Sequence, residues 1–142
     1  MRVRTDSGTQ VSGYAIRLGE DSGLVCSNST LNGSFRAIGD GTVGITGPGT
    51  GVPIAVVNNL NLDGSGNVHA FATTRSANGV ISSGGTATVA YTVNADCTST
   101  NTLTPSSGPV NHANIVVDRN GAGRFFIRPD SGNTTSGYAI RF

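Results

Sequence analysis

The chain has 142 residues, a formal net charge of +1 and only 12% charged side chains. That length suits one domain and is too short for two independent cores. Near-neutral charge removes the footprint of a nucleic-acid binder, and no apolar run approaches the roughly 20 residues of a membrane-spanning helix.

Gly, Ser, Thr and Asn make up 66 residues, a single Glu is present and Lys is absent, so the good helix formers are missing. What is left is a series of short alternating segments separated by turn residues. The pattern predicts an all-β fold: a small antiparallel β-barrel, or a sandwich, of about eight strands with an extra N-terminal strand. The predicted strands are 12–18, 33–38, 52–62, 67–75, 86–93, 98–104, 111–117, 124–128 and 135–142. The opening Met1-Arg2-Val3-Arg4-Thr5-Asp6 has no apolar segment like that of a leader, so an exported protein would be represented here either already processed or as an expressed piece.

The Gly-rich stretch 39–51 reads as a mobile loop. In 52–57 the continuous apolar run predicts a strand covered on both faces, with Pro53 at its start or on an edge. Asp63-Gly64-Ser65-Gly66-Asn67, Asn78-Gly79 and Asn120-Gly121 are hairpin signals. In 86–93, parity puts Ala87, Val89, Tyr91 and Val93 on the core face, and in 111–117 it groups Ala113, Ile115 and Val117.

The strongest signal is a repeat between the two ends. Residues 4–18 read RTDSGTQVSGYAIRL and residues 128–142 read RPDSGNTTSGYAIRF, ten identities in fifteen at an offset of 124. Tyr14, Ile16 and Leu18 match Tyr138, Ile140 and Phe142 on one strand face, and Arg17 matches Arg141 on the other. The expected organisation is an N-terminal strand (1–18), a linker (19–25) and a barrel (26–142). The surplus strand has three readings: a remnant of a tandem array, a local edge strand, or a strand donated to a neighbouring subunit. Donation is the leading one, with Tyr14, Ile16 and Leu18 filling apolar slots of the partner. It makes the protein a structural subunit that self-assembles into a filament or ring.

Cys26 and Cys97 are the two cysteines. With no further thiols and no suitably spaced histidines, a disulfide accounts for them better than a metal site, the alternative being two reduced buried thiols. A disulfide places the protein outside the cell or on its surface.

No catalytic residue, metal or cofactor is assigned. His69 and Phe71 share a strand face by parity and, with Tyr91, are candidate lumen residues if the barrel binds a small apolar ligand or acts on one. His69 is then a candidate general base, against the plainer reading of a hydrogen-bonded strand histidine. The Asp-Ser-Gly triplets at 6–8, 21–23 and 130–132 lack a nucleophile elbow and read as turns. Asp63–Asn67 and Asp118–Gly121 offer oxygens to calcium but lack carboxylate density, and also read as turns. The nine arginines are dispersed among eight acids, so a solvated outer face is expected for them.

Cys26-Ser27-Asn28-Ser29-Thr30-Leu31-Asn32-Gly33-Ser34-Phe35 resembles the opening of small secreted bacterial domains that begin C-S-N-x-x-L-x-G-x-[FY]. Tyr91-Thr92-Val93-Asn94-Ala95-Asp96-Cys97-Thr98 is similar to their Y-x-V-N-x-D-C-T segment. The resemblance covers about residues 26–142. It implies a secreted β-barrel with a Cys26–Cys97 bond, similar in strand pattern to the allene oxide cyclase and dirigent barrels, and it assigns no catalytic residue.

Overall fold

The structure, a computed structural model, describes residues 25–142 apart from Arg119. The expected strand at 12–18, with Tyr14, Ile16, Arg17 and Leu18, lies outside the described residues. After Cys26 comes a short 3-10 turn (Asn28–Leu31) and then nine strands: β1 (Asn32–Val43), β2 (Val52–Asp63), β3 (Asn67–Ala77), β4 (Val80–Gly85), β5 (Ala87–Val93), β6 (Thr98–Pro105), β7 (Asn111–Val117), β8 (Gly123–Ile127) and β9 (Ser136–Arg141).

Every pairing is antiparallel, and apart from β4 and β5, which both pair with β3, each strand pairs with its neighbour in the chain until β9 closes on β1. β4 and β5 lie along the same flank of β3, β4 at Thr73–Ala77 and β5 at Asn67–Val68, with a break at Thr86. The result is an eight-stranded closed up-and-down barrel with β4 as an added strand segment, an architecture that satisfies the strand edges by closure.

Two hairpins form where turn chemistry predicts them. Asn78 and Gly79 take positive φ values of 48° and 80° between β3 and β4, as a two-residue hairpin requires. Asp63 organises the β2–β3 turn with its side chain. Its Oδ1 accepts the N–H groups of Ser65, Gly66 and Asn67 at 2.7, 3.0 and 2.9 Å.

Other expectations are corrected. β1 runs on through Gly39 and Gly41 to Val43, so the Gly-rich loop is confined to residues 44–51. These glycines serve close approach: a Cβ on Gly39 would stand 2.8 Å from the Phe126 ring and 2.9 Å from the Ser136 carbonyl. In β2 only Ile54 and Val56 of the apolar run are buried, while Ala55 and Val57 face solvent. β4 is a strand that the sequence does not announce, because Val80-Ile81-Ser82-Ser83-Gly84-Gly85 is exposed throughout and buries no face.

The core fills one end of the barrel. Leu31, Phe35, Leu62 and Val117 are fully buried there, packed with Val93 and Tyr91. The Cys26–Cys97 disulfide ties the segment before β1 to the β5–β6 turn across 71 residues of sequence. Asn28 stitches the same plug in place: its Oδ1 accepts the Val93 N–H at 2.8 Å and its Nδ2 donates to the Ser65 carbonyl at 3.2 Å.

Candidate functional site

The opposite end of the barrel is open. Its mouth encloses about 710 Å³ between Ile54, Val56, Arg75, Leu103, Arg128 and Asp130. A deeper pocket of about 60 Å³ continues inward past Leu60, Ile115, Phe126 and Arg124. Asn58, Phe71, Leu103, Asn111 and Arg128 wall both spaces, so the lumen is one tapering cup. Its volume falls in the roughly 300–1,000 Å³ range of small-molecule sites.

Strand β8 sets the chemistry. Alternation turns Arg124 and Phe126 of β8, and Arg128 just past its end, inward, each about 7 Å from the next along the chain, while Phe125 and Ile127 turn outward. Arg128 sits near the rim, where its Nη1 donates to Asn111 Oδ1 at 3.3 Å. Burial lowers its pKa, Asp130 opposes that shift and Arg75 adds to it. Asp130 accepts the His112 N–H at 2.8 Å, with His112 Nδ1 also 2.8 Å away. Burial pushes the Asp130 carboxyl up, but those bonds and nearby positive charge outweigh it and hold the pKa below its usual value.

Arg124 is the unusual residue. It is 4% exposed, and its Nη1 is buried with no hydrogen-bond partner among the described residues. The histidine–carboxylate contacts among those residues, His69–Asp63 and His112–Asp130, do not include it. Burial pulls its pKa down to about 10, so it still carries its charge at neutral pH. The ring of Phe35 lies 5.6 Å from its guanidinium carbon and supplies the one cation–π contact it makes there. Asn101 Oδ1, on the wall of the same deep pocket, is likewise buried and unpartnered. A water could bridge the two, accepting from Arg124 and donating to Asn101 Oδ1, whereas an anion would pair with Arg124 alone and neutralise its charge.

The candidate lumen residues separate. Phe71 lines the cup at both levels. Tyr91 is buried in the packed floor, its hydroxyl 3.4 Å from the Asn28 carbonyl, and burial raises its pKa. His69 does not reach the lumen: β2 and β3 slip register between Asn61 and Leu62, opposite Ala70 and Val68, which leaves His69 as the extra residue of a bulge. Its side chain is 71% exposed, with Nε2 3.5 Å from Asp63 Oδ2. The bulge reverses strand parity, which is why Phe71 points inward and His69 does not. Arg124, which the composition assigns to a solvated face, is the functional candidate that sequence reasoning misses. Its spacing from Phe126 and Arg128 is the signal that was available.

At the closing strand, Tyr138, Ile140 and Phe142 face outward, 40%, 53% and 64% exposed. The inward set of β9 is Gly137, Ala139 and Arg141; Arg141 Nη2 donates to the Thr30 carbonyl at 2.9 Å and its guanidinium lies over Phe35. No helix among the described residues is long and apolar enough to cross a membrane. Compared with known protein families, with curated proteins and with solved structures, the chain matches none.

Proposed function

We propose that the protein is an extracellular binding barrel that holds a small apolar molecule bearing an acidic group. The single observation that carries this reading is Arg124, a residue lining the deep pocket of the lumen whose Nη1 is buried without a hydrogen-bond partner among the described residues. A buried charge without a partner costs several kcal/mol, and a bound carboxylate, sulfonate or phosphate would offset that cost. Phe71, Leu60, Leu103 and Phe126 supply an apolar sleeve, and Arg128 and Arg75 add positive charge towards the rim. The disulfide supports an oxidising compartment, and the resemblance to small secreted domains agrees with it.

Native mass spectrometry of the full chain with decanoate, and separately with its neutral analogue 1-decanol, tests the reading. A 1:1 decanoate adduct that Arg124→Met removes is the expected result. Absence of the adduct from the wild-type chain overturns it.

A second reading, self-assembly by strand exchange through residues 12–18, is favoured by a different observation. β9 pairs with β1 on one flank and β8 on the other, and its inward residues Gly137, Ala139 and Arg141 are repeated as Gly13, Ala15 and Arg17. The N-terminal copy therefore carries the side chains that the β9 slot of a neighbouring subunit requires. In that slot Tyr14, Ile16 and Leu18 would face outward rather than fill the partner's interior. Negative-stain microscopy of the full chain beside a chain starting at Gly23 tests it: assemblies lost on truncation support exchange, and dispersed particles in both overturn it.

A further inference from the structure

The outer surface of the barrel is not uniform. Across β5 and β6 it presents Thr88, Ala90, Thr92, Thr100, Thr102 and Thr104, a polar hydroxylated face. Across β2, β1, β9, β8 and β7 it presents one lateral row of apolar side chains in cross-strand register: Val57 opposite Ile38, Ile38 opposite Tyr138, Tyr138 opposite Phe125, and Phe125 opposite Val116. Val57, Ile38, Tyr138 and Val116 are each exposed, and the Phe125 and Tyr138 rings lie 6.3 Å apart. Ile140, Phe142 and Ile127 extend the row on either side. Beyond Tyr138 the row runs into a groove of about 440 Å³ floored by β6, β7 and β8. A continuous apolar patch of this extent is a mark of an interaction surface.

Two charges say what covers it. On β1, Arg36 lies two residues to one side of Ile38 and Asp40 two residues to the other, on the same outward face and both exposed. Along a strand each is about 7 Å from Ile38. A twofold axis running along the apolar row would lay Ile38 on Ile38, Tyr138 on Tyr138, and Arg36 of each copy on Asp40 of the other. Such an interface is isologous and self-complementary in both charge and hydrophobicity, as a closed dimer requires. Arg36 already rests with its guanidinium carbon 4.0 Å from the centre of the Phe142 ring, so its stem and head are part of the same surface. We propose that the middle of this row, centred on β1 and β9, binds a second copy of this chain in a twofold dimer, with Arg36 and Asp40 setting the register. The interface needs nothing from residues 1–24, and it leaves the barrel mouth free.

Sedimentation velocity of the full chain over a concentration series tests this, with far-UV circular dichroism and thermal melts to confirm that each variant is folded. A reversible dimer is expected, weakened at least tenfold by Ile38→Asp. Arg36→Asp and Asp40→Arg should each weaken it by placing like charges opposite one another, and the double swap should restore it. The chain starting at Gly23 should dimerise like the full chain, which separates this interface from strand exchange. A chain that is monomeric at every concentration would overturn the proposal. So would a dimer that survives Ile38→Asp, or one that the double swap fails to restore.

Discussion

Arg124 holds its guanidinium carbon 5.6 Å from the centre of the Phe35 ring, a charge resting on an aromatic face in the deep part of the cup. That contact returns about 0.5–2 kcal/mol, less than the cost of burying an unpaired cation. Replacing Arg124 with Met, which fills similar space without charge, is therefore expected to raise unfolding stability by about 1–3 kcal/mol. Urea denaturation of the unliganded chains checks it. Burial depresses the folded-state pKa of this base to about 10. The penalty is thus fully present at neutral pH, and would be relieved only as pH rises through that value towards the unfolded one. The gain in Arg124→Met should accordingly be the same at pH 6 and pH 8.

Removing the disulfide with Cys26→Ser and Cys97→Ser together should cost about 2–5 kcal/mol, because the bond closes a long loop in the unfolded chain. It also anchors the Leu31 plug at the closed end of the barrel. Urea midpoints of the double variant, and of the wild type with and without reductant, test this. Equal midpoints would remove the disulfide from the account.

Gly137 pairs with Gly39 where β9 meets β1. A Cβ on Gly137 would run into the Ile38 carbonyl oxygen and stand 2.8 Å from the Phe126 ring. Gly137→Ala should destabilise by about 1–3 kcal/mol through overpacking. The matching change at the repeat, Gly13→Ala, should leave the barrel melt unchanged while abolishing any assembly made by strand exchange. Thermal melts and microscopy of the two variants separate these effects.

Asp63 holds the β2–β3 turn as a carboxylate, with a pKa lowered first by the Asn67 side chain and then by backbone N–H groups. A carboxyl depressed in the folded state contributes stability above its unfolded pKa, and loses it as pH falls through the folded value. Asp63→Ala should therefore melt below wild type at pH 7, and the gap should narrow as pH is lowered from about 4 towards 2. A gap independent of pH would mean that the turn is held by other means.

Much of the barrel was legible because its strands obey alternation. β5 and β7 bury the residues that parity selects, since nothing interrupts their pleat. Parity fails in β3 at His69 because one extra residue reverses the face, and the run Asn67-Val68-His69-Ala70-Phe71 carries no Gly or Pro to mark it. β4 was silent because its residues pack against no core and show no pattern. The site was harder still. An arginine opening a strand in a chain of dispersed, balanced charges reads as solvent-exposed, and two adjacent phenylalanines, Phe125 and Phe126, conceal which face of β8 is inside. Only closure of the sheet decides that Phe126 points inward and takes Arg124 with it.

The most direct test of the central claim is the side-chain Nε–H resonance of Arg124 in the nitrogen-15-labelled full chain during titration with decanoate, assigned by its loss in Arg124→Met. A large shift is expected that saturates along the same binding curve as the backbone amides of β8, with no comparable shift for 1-decanol. Binding that leaves this resonance unmoved, or no binding at all, would contradict a lumenal anion site anchored by Arg124.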